Sequence, residues 1–188
     1  TLRAIDVLKN SDIILCEDTR RSLKLLNHLK IKKHLVSYHK FNEKKQVNII
    51  INYIKNGKIL SLISDAGTPL ISDPGRLLLN ECILKKINVT PIPGVSSITS
   101  AISVSGFSDQ FLFYGFLPKK DKELDKVLNL LENFNYSQVF FIPAVRINFY
   151  IKKSKKNSIF TSFSNYNNGI EPFDVEHNQN IKVSFVFA

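Results

Sequence analysis

Ser64-Asp65-Ala66-Gly67-Thr68-Pro69-Leu70-Ile71-Ser72-Asp73-Pro74-Gly75 stands between two apolar segments of different period. Before it, Lys58-Ile59-Leu60-Ser61-Leu62-Ile63 reads as a short buried strand. After it, Arg76-Leu77-Leu78-Leu79-Asn80-Glu81-Cys82-Ile83 carries a helical apolar face. The loop between them holds two carboxylates, two prolines and two glycines. In an open α/β sheet, ligands bind at the carboxyl ends of strands, which is where such a loop sits. Gly67 and Gly75 permit positive φ or a close backbone approach. Pro69 and Pro74 stiffen the loop, so less ordering entropy is lost on binding.

A second loop repeats the pattern downstream. Residues 88–92 read as a strand, Pro93-Gly94-Val95-Ser96-Ser97 as a turn, and residues 97–104 as a small-residue helix with Ser96 or Ser97 as its N-cap. Its first turn offers free N–H groups and hydroxyls to a polar ligand. Upstream, residues 2–9 have helical spacing and residues 13–16 the pattern of a buried parallel strand. Glu17-Asp18-Thr19-Arg20-Arg21 then follows at a strand's carboxyl end. A helix is expected over 22–29, with Leu23, Leu25, Leu26 and Leu29 on its apolar side. A strand over 35–39 and a helix over 46–55 complete this part. Such alternation predicts an α/β fold, a mainly parallel sheet with helices on both faces.

Near Gly106 the texture changes. Residues 110–117 are dense in aromatics, residues 121–134 form an amphipathic pattern with Leu124, Val127, Leu128 and Leu131 inward, and residues 139–142 read as a strand. Two domains are expected, 1–107 and 108–188, the second a partial α/β domain.

Composition narrows the function. No apolar run approaches the roughly 18 residues that span a bilayer. Cys16 and Cys82 stand in apolar settings without a CxxC or a histidine at ligand spacing, which reads as buried reduced thiols in a cytoplasmic protein and not as a zinc site. The net charge of +10 is unevenly spread. Residues 20–45 hold nine Lys or Arg against one acid, Glu43, while residues 60–118 hold three bases against four acids. The basic block is a candidate footprint for RNA phosphates. It is equally what a lysine-rich composition produces, since Lys supplies 21 of the 26 bases.

Cys16-Glu17-Asp18-Thr19-Arg20-Arg21, the loop from Ser64 to Gly75, and Pro91-Ile92-Pro93-Gly94-Val95-Ser96-Ser97 occur in this order. Together they resemble the ribosomal RNA small subunit methyltransferase I family, of the tetrapyrrole-methylase-like (class III) fold. Ser105-Gly106-Phe107 and Phe113-Tyr114-Gly115-Phe116-Leu117-Pro118 extend the match over roughly residues 1–141. The resemblance implies methyl transfer from S-adenosyl-L-methionine to the ribose 2′-hydroxyl of a cytidine in 16S ribosomal RNA of the small subunit, by a cytoplasmic homodimer.

It also implies departures. The family's first strand and its Pro/Gly loop, part of the cofactor site, are expected to be missing before Thr1. Past Phe141 the family continues with Phe-Tyr-Glu-Ser and His-Arg, whereas this chain has Ile142 for the glutamate and Val145 for the histidine, keeping Arg146. A truncated or frameshifted second domain is one explanation, and drift in a reduced genome is the other.

The resemblance assigns Ser64, Asp65, Ala66, Gly67 and Thr68, with Pro93, Gly94, Ser96 and Ser97 facing them, to the cofactor. Glu17 and Asp18 are candidates for orienting or deprotonating the acceptor hydroxyl. Arg20, Arg21, Lys24, His39 and Lys40 are candidates for the RNA, since arginines clamp phosphates bidentately. Glu17 and Asp18 also read as a helix cap that neutralises Arg20 and Arg21, and Asp73 as a turn residue. No metal is expected. A tetrapyrrole (precorrin-type) methylase and a non-catalytic RNA-binding remnant are the competing readings.

Overall fold

A computed structural model describes residues 1–134, 136–156, 160–164 and 182–187. Its contacts divide into two compact units, Thr1–Val95 and Ser96–Ala188. In the first, β1 (Ile13–Cys16) lies between β2 (His34–Ser37) and β3 (Leu60–Ile63), all parallel, in the order β2-β1-β3. Every residue of β1 is buried, because helices cover both of its faces. Ile13 and Leu15 face one side, where α3 (Glu43–Lys55) and α4 (Arg76–Leu84) bring Val47, Ile50, Ile51, Leu78 and Cys82 against them. Ile14 faces the other, beneath Leu8 of α1 (Leu2–Asn10) and Leu26 of α2 (Thr19–His28). The period of two along the strand thus sorts the core into two layers.

In the second unit, β4 (Phe111–Phe116), β5 (Ser137–Ile142), β7 (Lys182–Phe187) and β6 (Phe160–Ser164) pair in that order, again all parallel. Central β5 is wholly buried. Phe140 and Ile142 pack with Leu124, Leu128 and Leu131 of α6 (Asp121–Leu131) and with Tyr150 of α7 (Ile147–Lys156). Val139 and Phe141 pack with Ala101, Ile98 and Ile102 of α5 (Ser97–Val104). The parallel α/β architecture expected from the sequence is therefore present in each unit. The division falls at Val95/Ser96, upstream of residues 107/108, where the composition changes, because α5 joins the second sheet's core.

Three sequence expectations need correction. Residues 88–92 form no strand. Val89 is half exposed, Pro91 has no N–H to offer a ladder, and β3 pairs with β1 alone among the described residues. A strand needs a hydrogen-bonding neighbour, which an apolar run by itself does not supply. Helix α2 begins at Thr19 and buries Ser22 and Leu26, leaving Leu23 and Leu25 exposed. Ser96 does occupy the N-cap of α5, yet its hydroxyl makes no capping bond. Beyond residue 145, α7 docks Tyr150 into the core, and the Arg146 guanidinium donates to the Lys119 carbonyl at 2.8 Å while stacking 4.5 Å over Phe149. The frameshift reading rests on Ile142, Val145 and the tract that follows, of which residues 157–159, 165–181 and 188 lie outside the described residues. Cys16 and Cys82 are buried free thiols, as their settings suggested.

Gly75 opens α4 at φ +127°. A Cβ there would come within 2.7 Å of Leu62 Cδ2 and 3.0 Å of Leu70 Cδ1. Gly75→Ala is expected to cost about 1–3 kcal/mol of stability, read as a lower urea midpoint at constant m. An unchanged midpoint would show that this φ is not required.

Candidate functional site

Register decides which residues meet. Cys16 is level with Ser37 of β2 and with Ile63 of β3. The pairing continues one step, with Tyr38 N–H donating to the Cys16 carbonyl at 2.8 Å. The segments leaving these strands, 17–18, 38–42 and 64–75, therefore emerge side by side from one edge. From β1 the chain turns to the α1/α2 face, and from β3 to the α3/α4 face. Adjacent strands whose exits diverge in this way leave a crevice between them.

Asp18 is the N-cap of α2, its Oδ1 accepting from the Arg20 backbone N–H at 2.9 Å. Arg20 also forks the same carboxylate, Nε to Oδ1 at 3.0 Å and Nη2 to Oδ2 at 2.7 Å. These bonds hold Asp18 far below the usual carboxylate range. Across the crevice, the Asp18 backbone N–H donates to Asp65 Oδ1 at 3.3 Å, and Arg21 Nη1 lies 3.6 Å from Asp65 Oδ2. Asp65 thus ties the two loops of the crevice together.

Glu17 and Asp73 behave in the opposite way. Burial raises the pKa of Glu17, with Asp73 and Asp65 adding to the rise and Arg21 opposing it. Burial also raises Asp73, against a hydrogen bond from Ser64 and with further help from Asp65. Glu17, Asp65 and Asp73 therefore lie near enough for their charges to act on one another. Among the described residues, no group of three or more His, Cys, Asp or Glu is arranged to hold a metal ion.

The 64–75 loop is strained as well as rigid. Leu70 and Ser72 adopt φ +71° and +66°, left-handed values rare for residues with a Cβ, and Gly67 adopts +81°. Such strain persists only where the surroundings over-determine it. One restraint is Glu43, whose Oε1 accepts from the Gly75 N–H at 2.6 Å. Beneath it, burial and the Glu43 carboxylate push the Tyr38 phenol well above its ordinary range. Glu43 was not among the sequence candidates, although being the one acid within the basic block was a signal.

The structure brings Glu17, Asp18, Arg20, Arg21 and Ser64 to Thr68 to the same edge of the first unit, with Asp65 through Thr68 exposed along the loop. His39 and Lys40 follow β2 at that edge, and Lys24 lies exposed one turn into α2. Pro93 and Gly94 end the first unit, where the Thr1 hydroxyl donates to the Pro93 carbonyl at 3.4 Å. Ser96 and Ser97 open the second unit. The Ser96 carbonyl accepts from the Thr99 and Ser100 hydroxyls at 3.1 and 2.8 Å.

The family model described as Tetrapyrrole (Corrin/Porphyrin) Methylases matches residues 1–145. The chain belongs to the tetrapyrrole methylase family. Within it, the chain is similar to proteins named ribosomal RNA small subunit methyltransferase I, as the motifs indicated. The one from Mesomycoplasma conjunctivae is 48% identical over 148 residues, 78% of this chain and 62% of the relative. That from Thermotoga maritima is 46% identical over 148 residues, 78% of this chain and 66% of the relative. That from Rickettsia prowazekii is 48% identical over 150 residues, covering 78% and 53%. The aligned region amounts to between half and two thirds of these relatives' own length. The family match, residues 1–145, spans the segments that leave β1, β2 and β3.

Glu17 has a checkable thermodynamic signature. In the unfolded chain it ionises near pH 4, whereas the fold holds its pKa higher. Folding therefore carries a penalty that grows as pH rises through this window and is absent below it. Glu17→Gln should raise the urea midpoint at about pH 8, and the gain should vanish below about pH 4. Equal midpoints at the higher pH would contradict the raised pKa.

Proposed function

We propose that this chain carries the methyl-transfer site of a ribosomal RNA 2′-O-methyltransferase, acting on a cytidine of the small ribosomal subunit with S-adenosyl-L-methionine as donor. The observation that carries the reading is the opposition within the crevice. The clustered carboxylates of Glu17, Asp65 and Asp73 lie at the edge where α2 begins, and that helix bears Arg20, Arg21 and Lys24, Arg21 within 3.6 Å of Asp65. The resemblance adds a cytoplasmic homodimer and 16S ribosomal RNA as the partner.

The donor set fits this cofactor on charge. Burial is the main cause of the raised Glu17 and Asp73 pKa values, and the further rise from neighbouring Asp73 and Asp65 marks a cluster of carboxylates that favours a cationic ligand. When bound, S-adenosylmethionine supplies an electrophilic methyl group on a sulfonium. The Ser64 to Thr68 backbone and the Asp65 carboxylate hold its polar groups, and Pro93 and Gly94 keep the cofactor role the resemblance assigns.

Glu17 accepts the proton of the 2′-hydroxyl. A carboxylate whose pKa is raised is a better base than one at its ordinary value, and a positioned base contributes roughly 10²–10⁴-fold. Asp18, with both oxygens engaged by Arg20, serves instead as the helix cap and arginine anchor. Arg21 and Arg20 present guanidinium groups to RNA phosphates, and His39 and Lys40 extend that rim. The Asp65–Arg21 pair couples the two sides, so cofactor and RNA sites are held in fixed relation.

The test is transfer of label from S-adenosylmethionine to small ribosomal subunits lacking the modification, beside a precorrin control. Label on the ribose of a cytidine is expected. Label on the precorrin instead, or on neither, overturns the proposal. Asp65→Ala should weaken cofactor binding at least about tenfold by calorimetry, roughly 1.4 kcal/mol. Glu17→Gln should bind cofactor and RNA normally yet lose roughly 10²-fold or more in rate. Wild-type affinity in the first variant, or wild-type rate in the second, removes that residue from its role.

A further inference from the structure

Phe41 is 91% exposed, although it lies three residues from Tyr38, which is fully buried. The other large aromatics that are exposed among the described residues reach only 38–50%. Singly exposed apolar side chains are ordinary on protein surfaces. What distinguishes this one is the backbone beneath it. The Asn42 side chain accepts from the His39 N–H at 2.8 Å and donates to the Ser37 carbonyl at 2.9 Å. The Phe41 N–H donates to His39 Nδ1 at 3.3 Å, and the Asn42 and Glu43 N–H groups both donate to the His39 carbonyl, at 2.9 and 3.0 Å. Five hydrogen bonds thus hold a turn whose outermost side chain touches little. The His39 ring stands edge-on to it, with centroids 6.1 Å apart.

Position and charge say what would cover it. The turn leaves β2 at the level of Cys16, on the same edge as Glu17 and the 64–75 loop. Lys40 precedes Phe41 and Lys44 and Lys45 follow, all exposed and none in an ion pair among the described residues. A second copy of a chain with net charge +10 would be repelled from this rim. A polyanion that also presents flat π faces is attracted by both features, and that describes single-stranded RNA.

We propose that Phe41 is a stacking platform for an unpaired nucleobase, with Lys40, Lys44 and Lys45 meeting the flanking phosphates. This rests on the RNA reading of the same crevice and adds to it a contact to a base. The backbone bonds fix the turn before RNA arrives, so little ordering entropy remains to be lost when a base settles on the ring. The register places that base beside the crevice in which its neighbour's ribose would be methylated.

The test uses a fluorophore-labelled single-stranded oligocytidylate and the variants Phe41→Ala, Phe41→Leu and Phe41→Trp. Phe41→Ala should weaken binding about 5- to 150-fold without changing the slope of log K against log salt, because no phosphate contact is lost. Phe41→Leu, apolar but without a π face, should not restore affinity, whereas Phe41→Trp should. The chain has no tryptophan, so the introduced indole reports alone, and its emission should be quenched as RNA saturates.

Wild-type affinity in Phe41→Ala overturns the proposal, as does unquenched emission in RNA-saturated Phe41→Trp. Full rescue by Phe41→Leu, or a dimer that dissociates in Phe41→Ala with RNA affinity intact, assigns the ring to ordinary apolar contact and overturns it too. A wild-type chain that binds no RNA overturns this inference together with the proposed function. A wild-type chain that binds RNA, with Arg20→Ala/Arg21→Ala lowering the salt slope and Phe41→Ala without effect, overturns the stacking alone.

Discussion

Everything in the first unit hangs on the double register of β1. Cys16 is paired level with Ser37 on one side and Ile63 on the other, so three strands end together. Parallel pairing makes this possible, since it points all three carboxyl ends the same way. Helices on both faces bury β1 completely, and that burial makes a register slip costly. A one-residue shift would move Ile14 into the layer of Val47 and Ile50, and would separate Asp18 from Asp65.

The chemistry of the crevice follows from that alignment and from limited solvent. Four carboxylates lie on neighbouring loops, with two arginines in the first turn of α2, yet the environments of the carboxylates differ. Asp18 is held ionised by Arg20, whereas burial presses Glu17 and Asp73 toward their neutral forms, with Asp73 and Asp65 adding to the rise of Glu17 and Asp65 to that of Asp73. Groups of the same type are thus given opposed shifts by their different surroundings. The cost is visible in the loop itself, where Leu70 and Ser72 sit at positive φ and Glu43 clamps the exit at Gly75.

The second unit obeys the same rules with different residues. Its central strand is buried on both faces, α5 covering Val139 and Phe141 while α6 and α7 cover Phe140 and Ile142. Arg146, a residue the family pattern shares, is occupied here by the Lys119 carbonyl and the faces of Phe149 and Tyr150. In this chain it serves packing at the end of β5.

Much of this was readable along the chain, for a local reason. Residues 13–16 are an unbroken apolar run, and a strand buried on both faces admits nothing else. The helices beginning at Arg76 and Ser97 announce themselves by their apolar period and by the loops before them. Asp18 and Arg20, two residues apart, were already candidates for each other. Where reading failed, a distant partner decided. Residues 88–92 have strand composition but no strand beside them among those described, and Leu23 and Leu25 turn outward because α2 begins earlier and buries Ser22 with Leu26. Sequence alone determined the alternation of elements and the loops at the strand ends, because these depend on neighbours a few residues away. Tertiary structure alone decided that Asp65 meets Asp18 and Arg21, that Glu43 restrains Gly75 and that Phe41 is left bare, because hydrogen bonds and burial between distant segments exist only once the sheet has set their register.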